Sequence, residues 1–364
     1  MFIPISEPSI TDIERQYVDD AMRSGWISSV GPMLRQFEER FAEFCDTKYA
    51  VSVSNCTVGL HLALIANGIG PGDEVIVPDF TFVATANAVV HSGATPVMVD
   101  ILEDTLCIDP DAIKQAITPR TKAIIPVHLY GYPANMTEIL DIADRHGLIV
   151  IEDAAEAHGA MYNGKKVGSL GQCGVFSFYG NKIMTCGEGG MITTNDDHFY
   201  ERASFLRDHA MSPDRRYYHT DIGYNYRLTS LQAAVGLGQL DRIDDLLNHR
   251  KHVFLKYQAG LSGIPRLKLN PESTTTTQNV YWLPTVEIIG YTDEQRNDLM
   301  AQLKKRGIDS RPFFYPISQL PMFSGAKNPV TARVSERGIN LPCYFALKDA
   351  DIDRVCTAMT ELLT

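Results

Sequence analysis

Short apolar runs alternate with helix-period segments along the first two thirds of the chain. Val75-Ile-Val-Pro78, Pro96-Val-Met-Val-Asp100, Ala123-Ile-Ile-Pro-Val127 and Leu148-Ile-Val-Ile-Glu-Asp153 are apolar on successive residues rather than on alternate ones. Between them, Val58 to Ala66 and Met136 to Arg145 carry helical patterns. Continuous apolar strands separated by helices predict βαβ units and a mostly parallel sheet covered on both faces. Gly174-Val-Phe-Ser-Phe178 and Gly190-Met-Ile-Thr-Thr194 read as further strands of that sheet. From Leu228 to Leu261 the pattern turns helical, with Leu237, Leu240, Ile243, Leu247 and Phe254 near one face, so one long helix is expected there. Beyond the polar loop Glu272–Gln278, a strand over Val280–Ile288 and helices over Asp293–Arg306 and Asp349–Leu363 suggest α+β structure. The expected class is α/β: a large domain, residues 1–245, with helices on both sides of the sheet, and a smaller C-terminal α+β domain, residues 246–364.

Composition narrows the function. The chain has 364 residues and a formal net charge of −11. Such an acidic balance argues against nucleic-acid binding, which needs a cationic face. No apolar run approaches the length of a membrane span. The start, Met1-Phe-Ile-Pro-Ile-Ser-Glu7, lacks the basic and apolar regions of a secretory signal. Seven scattered cysteines without a C-x-x-C pair read as reduced thiols of a cytoplasmic protein, and they give no support for a metal site. Gly159 to Lys166 mimics the start of a P-loop, but Lys166 stands where Ser or Thr is required, and Asn163-Gly164 is a hairpin-turn pair. Neither Gly68-x-Gly70 nor Gly236-x-Gly238 has the third glycine of a dinucleotide fingerprint.

Several motifs carry candidate chemistry, each with an ordinary alternative. Asp153 ends an apolar strand, where open α/β sheets bind ligands, although a strand-end Asp is also a common helix cap. Lys182 follows a strand among small residues, where a desolvated amine can form a Schiff base, yet most lysines simply face solvent. Ser54-Asn-Cys56-Thr57 opens a helix and suits an anion, or merely caps it. Phe80-Thr-Phe82 after a strand offers a stacking ring or plain core packing. Asp221 to Arg227 suits phosphate or interface contact, or is a solvated loop. Together, an acid, a lysine, a phosphate-ready helix start and an aromatic at one sheet edge form the inventory that pyridoxal phosphate requires.

At these residues the sequence resembles the DegT/DnrJ/EryC1/StrS group, sugar-nucleotide aminotransferases of fold-type I. The resemblance covers essentially the whole chain, through Trp26-Ile-Ser-Ser, Gly70 to Pro78, His128-Leu-Tyr-Gly131, Glu152-Asp-Ala-Ala-Glu156, Phe176 to Lys182, Gly187-Glu-Gly-Gly-Met191, Gly223 to Arg227, Arg311 to Pro316 and Asn340-Leu-Pro342. Ser177 to Lys182 and the stretch from Arg215 to Arg227 are most similar to the branch that forms GDP-perosamine. The resemblance implies that Lys182 bonds pyridoxal 5'-phosphate covalently and that Asp153 pairs with its ring nitrogen. It implies that Glu156 approaches the ring hydroxyl and that Phe82 stacks on the ring. Cys56 backbone, Thr57 and Ser177 would bind the phosphate. Asn225 would reach the cofactor of a neighbouring subunit, making a homodimer with shared sites the smallest active unit. Trp26, Arg311 and Phe314 would lie on the substrate side. The implied reaction moves an amino group from glutamate to a nucleotide-linked 4-keto-6-deoxy hexose, with GDP-4-keto-6-deoxymannose as the first expectation. Other keto sugars (dTDP- or UDP-linked, or a free keto acid sugar), a sugar dehydratase of the same group and a non-catalytic binding protein are the alternatives. The dehydratase branch carries His at the lysine position, and a binding protein would be expected to lose the lysine or the acid. Cys56 departs from the family, in which Gly is usual; a thiol beside the phosphate would bring sensitivity to oxidation.

Overall fold

The computed structural model describes residues 2–323 and 325–364. In chain order its strands are β1 (Tyr49–Val53), β2 (Glu74–Pro78), β3 (Thr95–Val99), β4 (Thr121–Ile124), β5 (Ile149–Asp153), β6 (Met161–Tyr162), β7 (Lys165–Lys166), β8 (Cys173–Ser177), β9 (Gly190–Thr194), β10 (Leu267–Leu269), β11 (Thr277–Gln278), β12 (Thr285–Ile288), β13 (Arg311–Pro312) and β14 (Gly338–Asn340). Seven of them form the main sheet, in the order β1-β9-β8-β5-β4-β2-β3. The pairs β2–β3, β2–β4, β4–β5 and β5–β8 are parallel, and β9 runs against both β8 and β1. The prediction of a mostly parallel sheet therefore holds, with β9 reversed.

Both faces of that sheet are covered, which is why its strands are apolar on successive residues. Val150, Phe176 and Met191 enter one core cluster. Their neighbours Ile151, Val175 and Ile192 enter the other. The helix Cys56–Ala66 packs in the second cluster and is buried almost all round. Asn163-Gly164 forms the turn between β6 and β7 as its sequence predicts, with φ of 50° and 77° at the two residues.

Where one long helix was expected from Leu228, there are two, Ser230–Asp241 and Ile243–Leu261. The break falls at Arg242, φ −124°, whose buried guanidinium is drawn to Glu14 (2.8 Å) and to the Ser9 carbonyl (2.8 Å). The capping box of Thr229 and Gln232 starts the first helix. The expected strand over Val280–Ile288 begins only at Thr285. Val280 and Trp282 instead donate hydrogen bonds to Gly131 and Tyr130, and Tyr281 has a positive φ of 50°.

A second sheet, in the order β10-β12-β14-β13, lies in the C-terminal part, while β11 pairs with β6. The division at residue 245, which we propose from the sequence pattern, falls inside the helix Ile243–Leu261. Side chains tie the two parts together. Asp100, at the end of β3, accepts N–H groups of Val330 (2.9 Å) and Thr331 (2.8 Å) and so caps the helix Pro329–Arg337 from outside. Buried Asp79 likewise holds Ser318 and Asn328. Among the described residues, no helix is long and apolar enough to cross a membrane.

Candidate active site

β5 lies between β4 and β8, and its last residue is Asp153. The Asp153 carboxylate accepts a hydrogen bond from the Thr85 hydroxyl (2.8 Å) and one from the Ala155 N–H (3.2 Å). Burial pushes its pKa up, against the pull of these two donors and of the positive charge on Lys182. The chain then turns and places Glu156 beside it. Glu156 accepts the Tyr130 N–H (2.9 Å), and its other oxygen lies 3.3 Å from Lys182 Nζ. Burial raises the Glu156 pKa as well, with Lys182 and the Tyr130 N–H opposing the rise.

Lys182 stands in the loop between β8 and β9. That loop is closed by the Cys186 N–H (2.9 Å) and the Thr185 hydroxyl (3.0 Å), both donating to the Phe178 carbonyl. Its ammonium sits 3.9 Å from the centre of the Trp282 ring. Lys182 is thus a partly enclosed amine between a carboxylate and an aromatic face, not a free surface lysine.

The helix start next to it is built for close approach. Asn55 caps the helix by accepting the Val58 N–H (3.0 Å), and the N–H groups of Cys56 and Thr57 have no acceptor within the helix. Gly190 on β9 backs this turn: a Cβ there would lie 2.7 Å from the Asn55 carbonyl carbon and 2.8 Å from the Cys56 nitrogen. Ser177 is buried at the end of β8. The Cys56 thiol turns inward towards the Val175 carbonyl (3.9 Å), and burial holds its pKa well above the usual thiol range. The thiol that the sequence places beside the phosphate is thus buried and faces the core, where burial disfavours its ionised form.

Phe82, 56% exposed, begins a run of aromatic rings. Its ring centre lies 6.1 Å from that of Phe314. Phe314 stacks on Tyr130 (5.7 Å, 2°), and Tyr130 in turn lies 6.2 Å from Trp282. Direct contacts thus link Lys182 to Glu156 and Trp282, Phe82 to Phe314 and on through Tyr130 to Glu156, and Asp153 to Thr85, with the Cys56–Thr57 turn and Ser177 at neighbouring strand ends. Trp26, Arg311 and Asn225 are exposed. Arg311 pairs with Asp309 (3.3 Å) and Asn225 accepts from Arg227 (3.0 Å), and among the described residues neither bonds to Lys182, Asp153 or Glu156. Sequence reasoning passed over Thr85, Tyr130 and Trp282. Tyr130 stands inside a motif already singled out and Thr85 three residues beyond Phe82, but their roles depend on a side-chain direction and on a positive φ of 53° at Tyr130. Trp282 lies a hundred residues from the lysine it touches (282 − 182).

A buried acid, an amine, an open helix start and a stacking ring define the class: an aminotransferase site on a mostly parallel sheet. The particular family follows from comparison. Residues 8–360 match the DegT/DnrJ/EryC1/StrS aminotransferase family, and the chain belongs to it. It is 46% identical to a GDP-perosamine synthase of Caulobacter vibrioides, over 99% of this chain and 98% of that one. It superposes on Spr1654 of Streptococcus pneumoniae in its PLP-form with a TM-score of 0.95 and 32% identity, covering 100% of both chains. It also superposes on DesI, solved in the presence of its TDP-sugar product, with a TM-score of 0.92 and 33% identity, over 100% of this chain and 93% of that one. Aminotransferases of this family depend on pyridoxal phosphate. The donor set here, with the room that Gly190 leaves at the helix start, fits that group.

Proposed function

We propose that the chain transfers an amino group from glutamate to GDP-4-keto-6-deoxymannose and forms GDP-perosamine. The observation that carries the amino-transfer chemistry is the Lys182 amine 3.3 Å from Glu156, beside a buried Asp153 at the carboxyl edge of the sheet. The similarity to GDP-perosamine synthases, of Escherichia coli O157:H7 (41% identical) as well as Caulobacter, supports the acceptor.

When bound, pyridoxal phosphate supplies an electron sink for a carbanion next to nitrogen and carries the amino group between substrates. Lys182 would hold it and, once freed, move the proton at Nζ. A placed amine acting in this way contributes about 10²–10⁴-fold. Asp153, held by Thr85 and Ala155, would face the ring nitrogen and keep it protonated. Glu156 orients Nζ and would approach the ring hydroxyl. Cys56 and Thr57 N–H groups and Ser177 would bind the phosphate, and Phe82 would cover the ring. Trp26, Arg311 and Phe314 would contact the sugar nucleotide.

The working unit in this proposal is a homodimer in which Asn225 reaches the partner's cofactor. The exposure of Asn225 and of six large apolar side chains, Ile10, Ile13, Met22, Trp26, Ile27 and Val30, supports it. All seven cysteines are free and buried, which supports a cytoplasmic setting. The acceptor is tested by comparing kcat/KM for GDP-, dTDP- and UDP-linked 4-keto-6-deoxy hexoses with glutamate as donor. The GDP sugar should lead by about tenfold or more, the worth of about 1.4 kcal/mol of transition-state binding. A dTDP or UDP sugar that matches or exceeds it overturns the assignment of the acceptor.

A further inference from the structure

Trp282 is fixed on three sides. Its indole N–H donates to the Asn181 carbonyl (2.9 Å), its main-chain N–H donates to Tyr130 (3.0 Å), and its carbonyl accepts from Arg250. Arg250, itself buried, also donates to the Cys343 carbonyl (3.0 Å) and reaches the Lys182 carbonyl (3.5 Å). The ring is therefore anchored to the same backbone stretch, Asn181-Lys182, that carries the amine. Its face meets Lys182 Nζ at 3.9 Å from the ring centre, while Glu156 lies 3.3 Å from the same nitrogen.

A lysine ammonium rides on a flexible four-carbon stem, so one partner locates it poorly. A carboxylate and a rigid aromatic face together define a position. Among aromatic rings, indole attracts a cation most strongly, and the attraction grows as water is excluded. Trp282 is buried, so it meets that condition.

We propose that Trp282 is a positioning residue: its ring face holds Nζ of the free Lys182 opposite Glu156, the place from which the neutral amine takes the substrate's proton and, as the ammonium, returns it. The proposal rests on Lys182 being the reacting amine. It adds to the site a residue a hundred positions from the lysine it touches, in a segment outside the motifs that define the acid and the lysine.

The test uses the holoenzyme. Trp282→Leu removes the ring, and Trp282→Phe restores a smaller one. Steady-state kcat and KM are measured for glutamate and GDP-4-keto-6-deoxymannose, together with the single-turnover bleaching of the bound cofactor's visible absorbance by glutamate. The expected result is a fall of about tenfold in kcat and in the bleaching rate for Leu, with KM and cofactor content retained and much of the rate restored by Phe. Unchanged rates in a folded Leu variant overturn the proposal. If the Leu variant fails to fold, fluorinated tryptophans installed at position 282 alone keep the test open: kcat should fall stepwise as fluorine withdraws density from the ring, and a flat series overturns the proposal. Lys182→Ala separates the two claims. Wild-type turnover in it removes the premise, whereas an inactive Lys182→Ala beside unaffected Trp282 variants refutes the role of Trp282 alone.

Discussion

Thr85→Val removes one hydroxyl and keeps the shape of the side chain. In the native site that hydroxyl donates to the Asp153 carboxylate at 2.8 Å, in a place where Asp153 is only 5% exposed. Burial already pushes the Asp153 pKa up, and Thr85 is the largest of the influences that oppose it. A hydrogen bond to a charged group contributes about 1.5–3 kcal/mol. No water can replace the lost donor without room for one, and valine fills that room. If ionised Asp153 is what keeps the cofactor's ring nitrogen protonated, the loss falls on the reacting state. At 1.36 kcal/mol per tenfold, kcat should drop by about 10–150-fold. The assay is steady-state turnover with glutamate and the GDP-linked keto sugar, with cofactor content measured in parallel. Thr85→Ser, which restores the donor, should recover most of the rate. A folded, cofactor-loaded Thr85→Val enzyme at the wild-type rate would refute the role given to Asp153.

Other consequences are open to equally direct measurement. Mixing inactive Lys182→Ala subunits with Asn225→Ala subunits should restore activity, because one site of each mixed dimer then has both residues intact; no recovery shows that Asn225 does not act across subunits. Gly190→Ala should lower cofactor affinity and destabilise the fold by about 1–3 kcal/mol, since its methyl meets backbone rather than a movable side chain; equilibrium dialysis and urea unfolding measure the two effects. His158 is buried among Phe41, Phe176 and Phe178, and burial pushes its pKa down to about 3. Below its ordinary value of 6.5 the unfolded chain takes up a proton that the native state refuses, so acid costs stability over that window. Urea unfolding should therefore show that His158→Phe loses about 2–3 kcal/mol less than wild type between about pH 6.5 and 4.5.

The parallel core strands were legible because burial on both faces leaves an unmistakable run of apolar residues, as in Leu148–Ile151. Asp153 and Lys182 were legible because each follows such a run. The break at Arg242 was hidden: its cause is a buried ion pair with Glu14, more than two hundred residues away, while the local pattern stays helical. The stretch Val280–Trp282 is apolar enough for a strand, yet its hydrogen bonds go to the loop at Tyr130. Thr85 and Trp282 escaped for a related reason. Neither residue type marks chemistry, and only the fold brings the hydroxyl to Asp153 and the ring to Lys182. Cys56 was read from its position beside the helix start, but its side chain points into the core.

The central claim is that Lys182 is the reacting amine of an amino transfer to a nucleotide-linked keto sugar. The most direct measurement is the visible absorbance of the purified protein loaded with pyridoxal phosphate, followed through addition of glutamate and then of GDP-4-keto-6-deoxymannose, for wild type and Lys182→Ala. The account predicts a wild-type band that bleaches with glutamate and returns with the keto sugar, and a folded Lys182→Ala protein without turnover. A band indifferent to glutamate, or full-rate turnover by Lys182→Ala, would contradict it.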